Sequence, residues 1–235
     1  MSVRFLDRRD AGRQLATKLA GYTGDPGVLV LGLPRGGVPV AYEVARALHA
    51  PLHVFVVRKL GVPGHRELAM GAIASGGLRV LNMDVIEALG ISPAAVESVA
   101  ASELLELERQ QRTYRGNAPL PKLVGRTVIV VDDGLATGST MRAAVGALRQ
   151  SRPASIIVAV PVAAAETVRR LREEADAVVC LSAPPDFHAV SMWYEDFSQT
   201  SDEEVRDLLE SASQATFSVE QKRGIDVNVS RRPGD

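Results

Sequence analysis

Residues 128–140 read Val-Ile-Val-Val-Asp-Asp-Gly-Leu-Ala-Thr-Gly-Ser-Thr, and this stretch narrows the possible fold more than any other part of the chain. Four consecutive β-branched residues form a short strand buried on both faces, the pattern of a parallel sheet. Two carboxylates stand at its carboxyl-terminal end. A turn of Gly, Thr and Ser then feeds residues 141–148, which are helical. A strand, a glycine turn and a helix in that order make one unit of an α/β sheet, and such sheets bind ligands beyond the carboxyl ends of their strands.

The turn has a definite chemistry. Backbone N–H groups of Ala136, Thr137, Gly138, Ser139 and Thr140, with the start of the following helix, form a concave set of donors carrying partial positive charge, which suits a phosphate. Gly138 lets the backbone approach closely, and the hydroxyls of Thr137, Ser139 and Thr140 can complete the anion's hydrogen bonds. Asp132 and Asp133 cannot serve the same anion, because their charge repels it. They face a diol, a cation, or both, and phosphate beside diol points to ribose 5-phosphate. A triphosphate-binding loop would need Lys where Gly138 stands, and Gly134 with Gly138 does not supply the dinucleotide pattern G-x-G-x-x-G. The bland alternative, two Asp that merely cap the turn and helix, requires only one of them.

Residues 132–140 resemble the phosphoribosyl-pyrophosphate (PRPP) signature of the type I phosphoribosyltransferases, and the Ala before Thr-Gly resembles the adenine-specific members. A weaker likeness extends from about residue 28 to residue 196. The resemblance implies an open, mainly parallel sheet flanked by helices, with a small hood or flap region. It implies that Asp132 and Asp133 hold the ribose hydroxyls and Mg2+ through water, and that Ala136, Thr137, Gly138, Ser139 and Thr140 hold the 5-phosphate. Residues 32–39, Gly-Leu-Pro-Arg-Gly-Gly-Val-Pro, form a second glycine-rich loop and resemble the family's pyrophosphate loop, which assigns Arg35, Gly36 and Gly37 to that group.

Other elements follow in order. Residues 5–22 place Ala11, Leu15, Leu19 and Tyr22 on one helical face, residues 28–31 form a strand, and residues 40–48 a helix. Residues 52–57 form the next strand, ending in Arg58 and Lys59, cations that the family places against pyrophosphate and that are assigned to catalysis here. Residues 61–67 read as a loop, then residues 68–74 and 78–81 as a hairpin across Ser75-Gly76-Gly77. His65 and Arg66 are candidates for a mobile loop that closes over the site. Residues 84–90 and 93–114 are helical, 154–160 and 177–181 are strands, and 165–174 and 205–213 are helices. Residues 184–197 concentrate the aromatics of a chain that is only 4% aromatic. There Trp193 and Tyr194 either stack an acceptor base or seal the sheet edge, and His188 is a weak acid–base candidate.

Composition limits the remainder. The 235 residues suffice for one α/β domain, expected over residues 1–215, with a flexible tail over 216–235. Lys and Arg (27) nearly balance Asp and Glu (28) without a basic face, so no nucleic acid is expected. Cys180 stands alone in an apolar run, which indicates a buried thiol in a reducing compartment. No apolar run approaches the roughly 18 residues of a membrane span, and no apolar segment follows the first residues, so a cytoplasmic location is expected. Expected partners are PRPP, a small acceptor base and a second copy of the chain in a homodimer.

The expected reaction is transfer of a 5-phosphoribosyl group from PRPP to a nitrogenous acceptor, with Mg2+. A PRPP-sensing regulator and a phosphoribosyl hydrolase on the same fold are the alternatives. The 6-oxopurine-specific relatives carry an Asp for proton transfer where this chain has Ala136. Hypoxanthine and guanine are therefore expected to be poor acceptors, and adenine the best.

Overall fold

The computed structural model describes residues 4–229 apart from Asn117, without the side chains of Arg66, Glu67 and residues 216–229. The chain runs through α1 (Arg8–Lys18), β1 (Val28–Gly32), α2 (Gly37–Leu48), β2 (Leu52–Val54), β3 (Val57–Val62), β4 (His65–Ala74) and β5 (Leu78–Leu81). It continues through α3 (Met83–Ala88), α4 (Pro93–Arg115), β6 (Thr127–Val131), α5 (Ser139–Gln150), β7 (Ser155–Val162), α6 (Ala165–Glu174), β8 (Ala177–Ser182) and α7 (Asp202–Val229). Five strands form a parallel sheet in the order β2-β1-β6-β7-β8, and β3, β4 and β5 form a separate antiparallel sheet. This is the open, mainly parallel sheet flanked by helices that the signature implied, with a small antiparallel sheet beside it.

Period-two alternation explains why the central strands read as unbroken apolar runs. Leu29 and Leu31, Val128 and Val130, and Ile156 and Val158 enter a core shared with Met141, Val145 and Leu148 of α5. Their neighbours Val28, Val30, Ile129, Val131, Ile157 and Ala159 enter the opposite core with Leu15 of α1 and Val40, Val44 and Leu48 of α2. Both faces are thus covered by helices, as parallel sheets require. Among the described residues no helix is long and apolar enough to cross a membrane.

Four elements differ from the sequence-based expectation. The strand expected over residues 52–57 is two strands: β2 ends at Val54, and the chain leaves for the second sheet at Val57. Ser75 fixes that departure, because its Oγ accepts from the Val56 N–H (3.0 Å) and its own N–H donates to the Val56 carbonyl (2.9 Å). The loop expected over 61–67 is a tight hairpin in which Val62 pairs with His65 across Pro63-Gly64. Gly64 has φ +80° there, matching a turn that wants Pro and then Gly. Strand β7 runs through Pro161 to Val162: β6 has ended opposite Ala159, while β8 still pairs with β7 at Val162↔Ser182. Finally, α7 spans Asp202–Val229, well beyond residues 205–213.

Candidate active site

The turn after β6 is braced from below and bare above. Leu135 donates its N–H to the Val162 carbonyl (3.0 Å) and accepts from the Ala164 N–H (3.0 Å), which ties the turn to β7. The Thr167 hydroxyl donates to the Ala136 carbonyl (2.5 Å). Gly138 adopts φ +68° and precedes α5 with no side-chain cap. Among the described residues, nothing accepts from the N–H groups of Ala136, Thr137 or Gly138. The Ser139 N–H reaches only Thr137 Oγ1, at 3.4 Å, and the two hydroxyls lie 3.2 Å apart. Ala136, Thr137 and Thr140 are exposed. The sequence assigned these residues together, and the fold brings them together as an open cluster of donors at a helix N-terminus, complementary to a dianion.

Asp132 and Asp133 sit beside that turn in a partly buried crevice. The Asp133 N–H donates to Asp132 Oδ1 (2.9 Å), and the Arg8 guanidinium donates through Nε to Asp133 Oδ2 (2.8 Å). Arg8 is 12% exposed and Asp133 15%. Arg8 also donates through Nη1 to the Ser198 carbonyl (2.6 Å), and its guanidinium carbon lies 4.0 Å from the centre of the Phe197 ring. Burial pushes both carboxyls above the usual range. For Asp132 the neighbouring Asp133 charge adds to burial, while for Asp133 the Arg8 hydrogen bond opposes it. Two adjacent, poorly solvated carboxylates with one guanidinium, paired to Asp133, leave negative charge to be met, which suits a divalent cation. Mg2+ takes one or two carboxylates and fills its shell with water and substrate oxygens. Among the described residues no third His, Cys, Asp or Glu joins the pair.

The loop after β1 packs directly against these carboxylates. A Cβ on Gly36 would overlap Asp133 Oδ2, and one on Gly37 would lie 2.7 Å from the Val131 carbonyl oxygen and 2.8 Å from Asp132 Cα. The Leu33 N–H donates to the Val131 carbonyl (2.9 Å), and the Gly37 and Val38 N–H groups donate to Leu33 and Arg35 carbonyls. Arg35 is half-exposed, with Nη1 3.8 Å from Asp202 Oδ1 at the start of α7; Asp202 also accepts from the Tyr114 hydroxyl (2.7 Å).

The remaining assigned residues are dispersed. Arg58 and Lys59 are neighbours in β3, so they project to opposite faces of the small sheet. Arg58 shares its face with Leu60 and is held by Glu103 of α4, at 2.8 Å from Nε and 2.7 Å from Nη2. Lys59 shares the face of Val57, which packs on the main-sheet core, and has no ion pair among the described residues. Tyr194 is 2% exposed. Its ring lies between Phe5 and Phe197, with centroids 5.4 and 5.0 Å away, and its hydroxyl donates to the Asp133 carbonyl (2.5 Å). That ring has no free face to stack a base, so it braces the carboxylate turn and seals the sheet edge. Trp193 is partly buried in the same cluster, and its carbonyl accepts from the Phe5 N–H. His65 and His188 are exposed. The side chain of Arg66 lies outside the described residues.

Arg8 and Phe197 escaped the sequence reading. An Arg in the first turn of an amphipathic helix looks like a solvated residue, and nothing local links it to an aspartate 125 positions later.

The phosphoribosyl transferase domain model matches residues 6–196, and the chain belongs to that family. A protein of Mycobacterium tuberculosis H37Rv named "putative phosphoribosyl transferase" is 49% identical over 208 residues, covering 88% of this chain and 47% of its own length. The chain therefore spans about half the length of that curated relative. The crystal structure of TT1426 from Thermus thermophilus superposes with a TM-score of 0.78 at 45% identity, covering 88% of this chain and 97% of that one.

Proposed function

We propose that the protein transfers the 5-phosphoribosyl group of PRPP to a nitrogenous base and releases pyrophosphate, with Mg2+ required. The bare amide turn at residues 136–138, close beside two poorly solvated carboxylates, is the observation that carries this reading. The turn binds the 5-phosphate through backbone N–H groups, which fixes the ribose over Asp132 and Asp133. Those carboxylates orient the ribose hydroxyls and hold the metal, which when bound neutralises charge building on the departing pyrophosphate. Arg35 and Lys59 supply fixed positive charge to the same leaving group. Arg58 can join them only by leaving Glu103.

Ala136 offers no proton-transferring group beside the base, and Tyr194, bound to the Asp133 carbonyl, supplies none. The acceptor is therefore one that needs little help with its proton, with adenine preferred over hypoxanthine and guanine. The test is pyrophosphate release from PRPP and Mg2+ with adenine, hypoxanthine, guanine, orotate, uracil or no base. Release that depends on adenine is expected. Equal release without a base would make the protein a hydrolase, PRPP binding without release would make it a sensor, and efficient use of hypoxanthine or guanine would refute the role given to Ala136.

A further inference from the structure

We infer that the groove between the carboxyl-terminal end of α4 and α7, lying over the edge strand β2, is a second anion site that takes a phosphorylated ligand of nucleotide size. Its volume is about 760 Å3, within the range of pockets that enclose small organic ligands. No residue of the phosphate turn, the carboxylate pair or residues 32–37 lines it.

The charge of its walls is one-sided. Arg112, Arg115, Arg206 and His53 line it against a single carboxylate, Glu210. Arg115 is the centre of the site. Its Nη2 donates to Gln111 Oε1 (2.7 Å), but its Nε and Nη1 are buried with no acceptor among the described residues. Buried donors without acceptors are costly, so Arg115 gains by turning toward an anion in the groove, where one edge of the guanidinium can meet two oxygens of a phosphate. Among the described residues acids relieve little of that charge: Glu108 pairs with Arg112 only at 4.0 Å, and Arg206 makes no ion pair. The resulting field is felt by His53, whose basicity is lowered first by burial and then by Arg115 and Arg126.

An anion larger than phosphate is indicated by the remainder of the wall. Pro51, Leu52, Pro119 and Leu209 give the groove an apolar side, which would cover the uncharged part of a nucleotide. Phosphate on Arg115 and an uncharged ring system on these residues use both surfaces at once.

Amide chemical shifts of the full chain, followed during titration with AMP, test the site and separate it from the phosphate turn. Thr113, Gly116 and Ser213 report the groove, whereas Thr137, Gly138 and Ser139 report the turn. Saturable shifts in both sets are expected. Arg115→Gln should weaken the groove response roughly tenfold or more, the usual effect of losing a charge-assisted hydrogen bond, and leave the turn response unchanged. Arg206→Gln alters an exposed residue that the fold does not need, and should weaken the groove response a few-fold. Inorganic phosphate should bind the groove more weakly than AMP. Shifts confined to residues 137–139, wild-type affinity in both variants, or phosphate binding as tight as AMP would each overturn the assignment.

Discussion

After β1 the chain turns at Gly36 and Gly37 because atoms of the neighbouring carboxylate loop occupy the space that a Cβ would need. After β6 it turns at Gly138, whose φ of +68° is one that other residues adopt only with strain. The first turn is packed against the carboxylate loop: its Gly37 and Val38 amides are spent on internal hydrogen bonds, and those of Arg35 and Gly36 have no acceptor among the described residues. The second is held only from beneath and leaves three amides without acceptors among the described residues. Glycine thus serves close packing in the first loop, and both a positive φ and close packing against Thr167 in the second. The difference separates a loop that carries a charged side chain beside the carboxylates from one that presents backbone donors.

The largest effect is expected where the two loops meet. Asp133→Asn keeps the shape of the side chain but removes the charge that faces ribose and metal, and should lower kcat/KM roughly 100-fold. Asp132→Asn should follow with a smaller loss, both with intact circular dichroism spectra. Wild-type turnover in Asp133→Asn would sink the site as drawn.

The glycines should separate next. Gly37→Ala drives a Cβ against backbone at Val131 and Asp132, which cannot yield cheaply, and should cost about 1–3 kcal/mol of folding stability. Gly36→Ala meets the end of the Asp133 side chain, so it should lower activity while changing the urea midpoint much less. Equal stability losses would mean that the two glycines do one job. At Gly138, Ala adds a strained φ, about 1 kcal/mol, and overlaps Thr167 Cγ2. Calorimetry should show weaker PRPP binding there, and an unchanged affinity would deny the turn its role.

The smallest effects should come from the cations. Lys59→Met is expected to weaken pyrophosphate binding while sparing ribose 5-phosphate. Arg58→Met should cost at most about 1 kcal/mol of stability through its partly exposed pair with Glu103, with little change in either affinity. The reverse pattern would show that Arg58 leaves Glu103 to reach the ligand.

Residues 128–140 were legible because everything they do is local: strand, carboxylates, turn and helix follow one another without interruption. The alternation that buries both faces of β1, β6 and β7 was legible for the same reason, since it is written in the period of the side chains. The Arg58-Lys59 pair was less so. Adjacent in sequence, the two cations were assigned together, yet a β-strand sends neighbours to opposite faces, and that became decisive only once Ser75 had pulled residues 57–62 out of the main sheet.

The sequence by itself determined the sheet, the glycine turn after β6 and the carboxylates, because short-range sterics and side-chain periodicity act within a dozen residues. Only the tertiary structure decided what stands around them. Arg8 reaches Asp133 from α1, Tyr194 and Phe197 close the crevice from beyond the last strand, and Gly36 is small because Asp133 lies against it. Each of these contacts joins segments far apart in the chain. Such contacts depend on how helices and loops pack over the strand ends, a property that no local pattern of residues encodes.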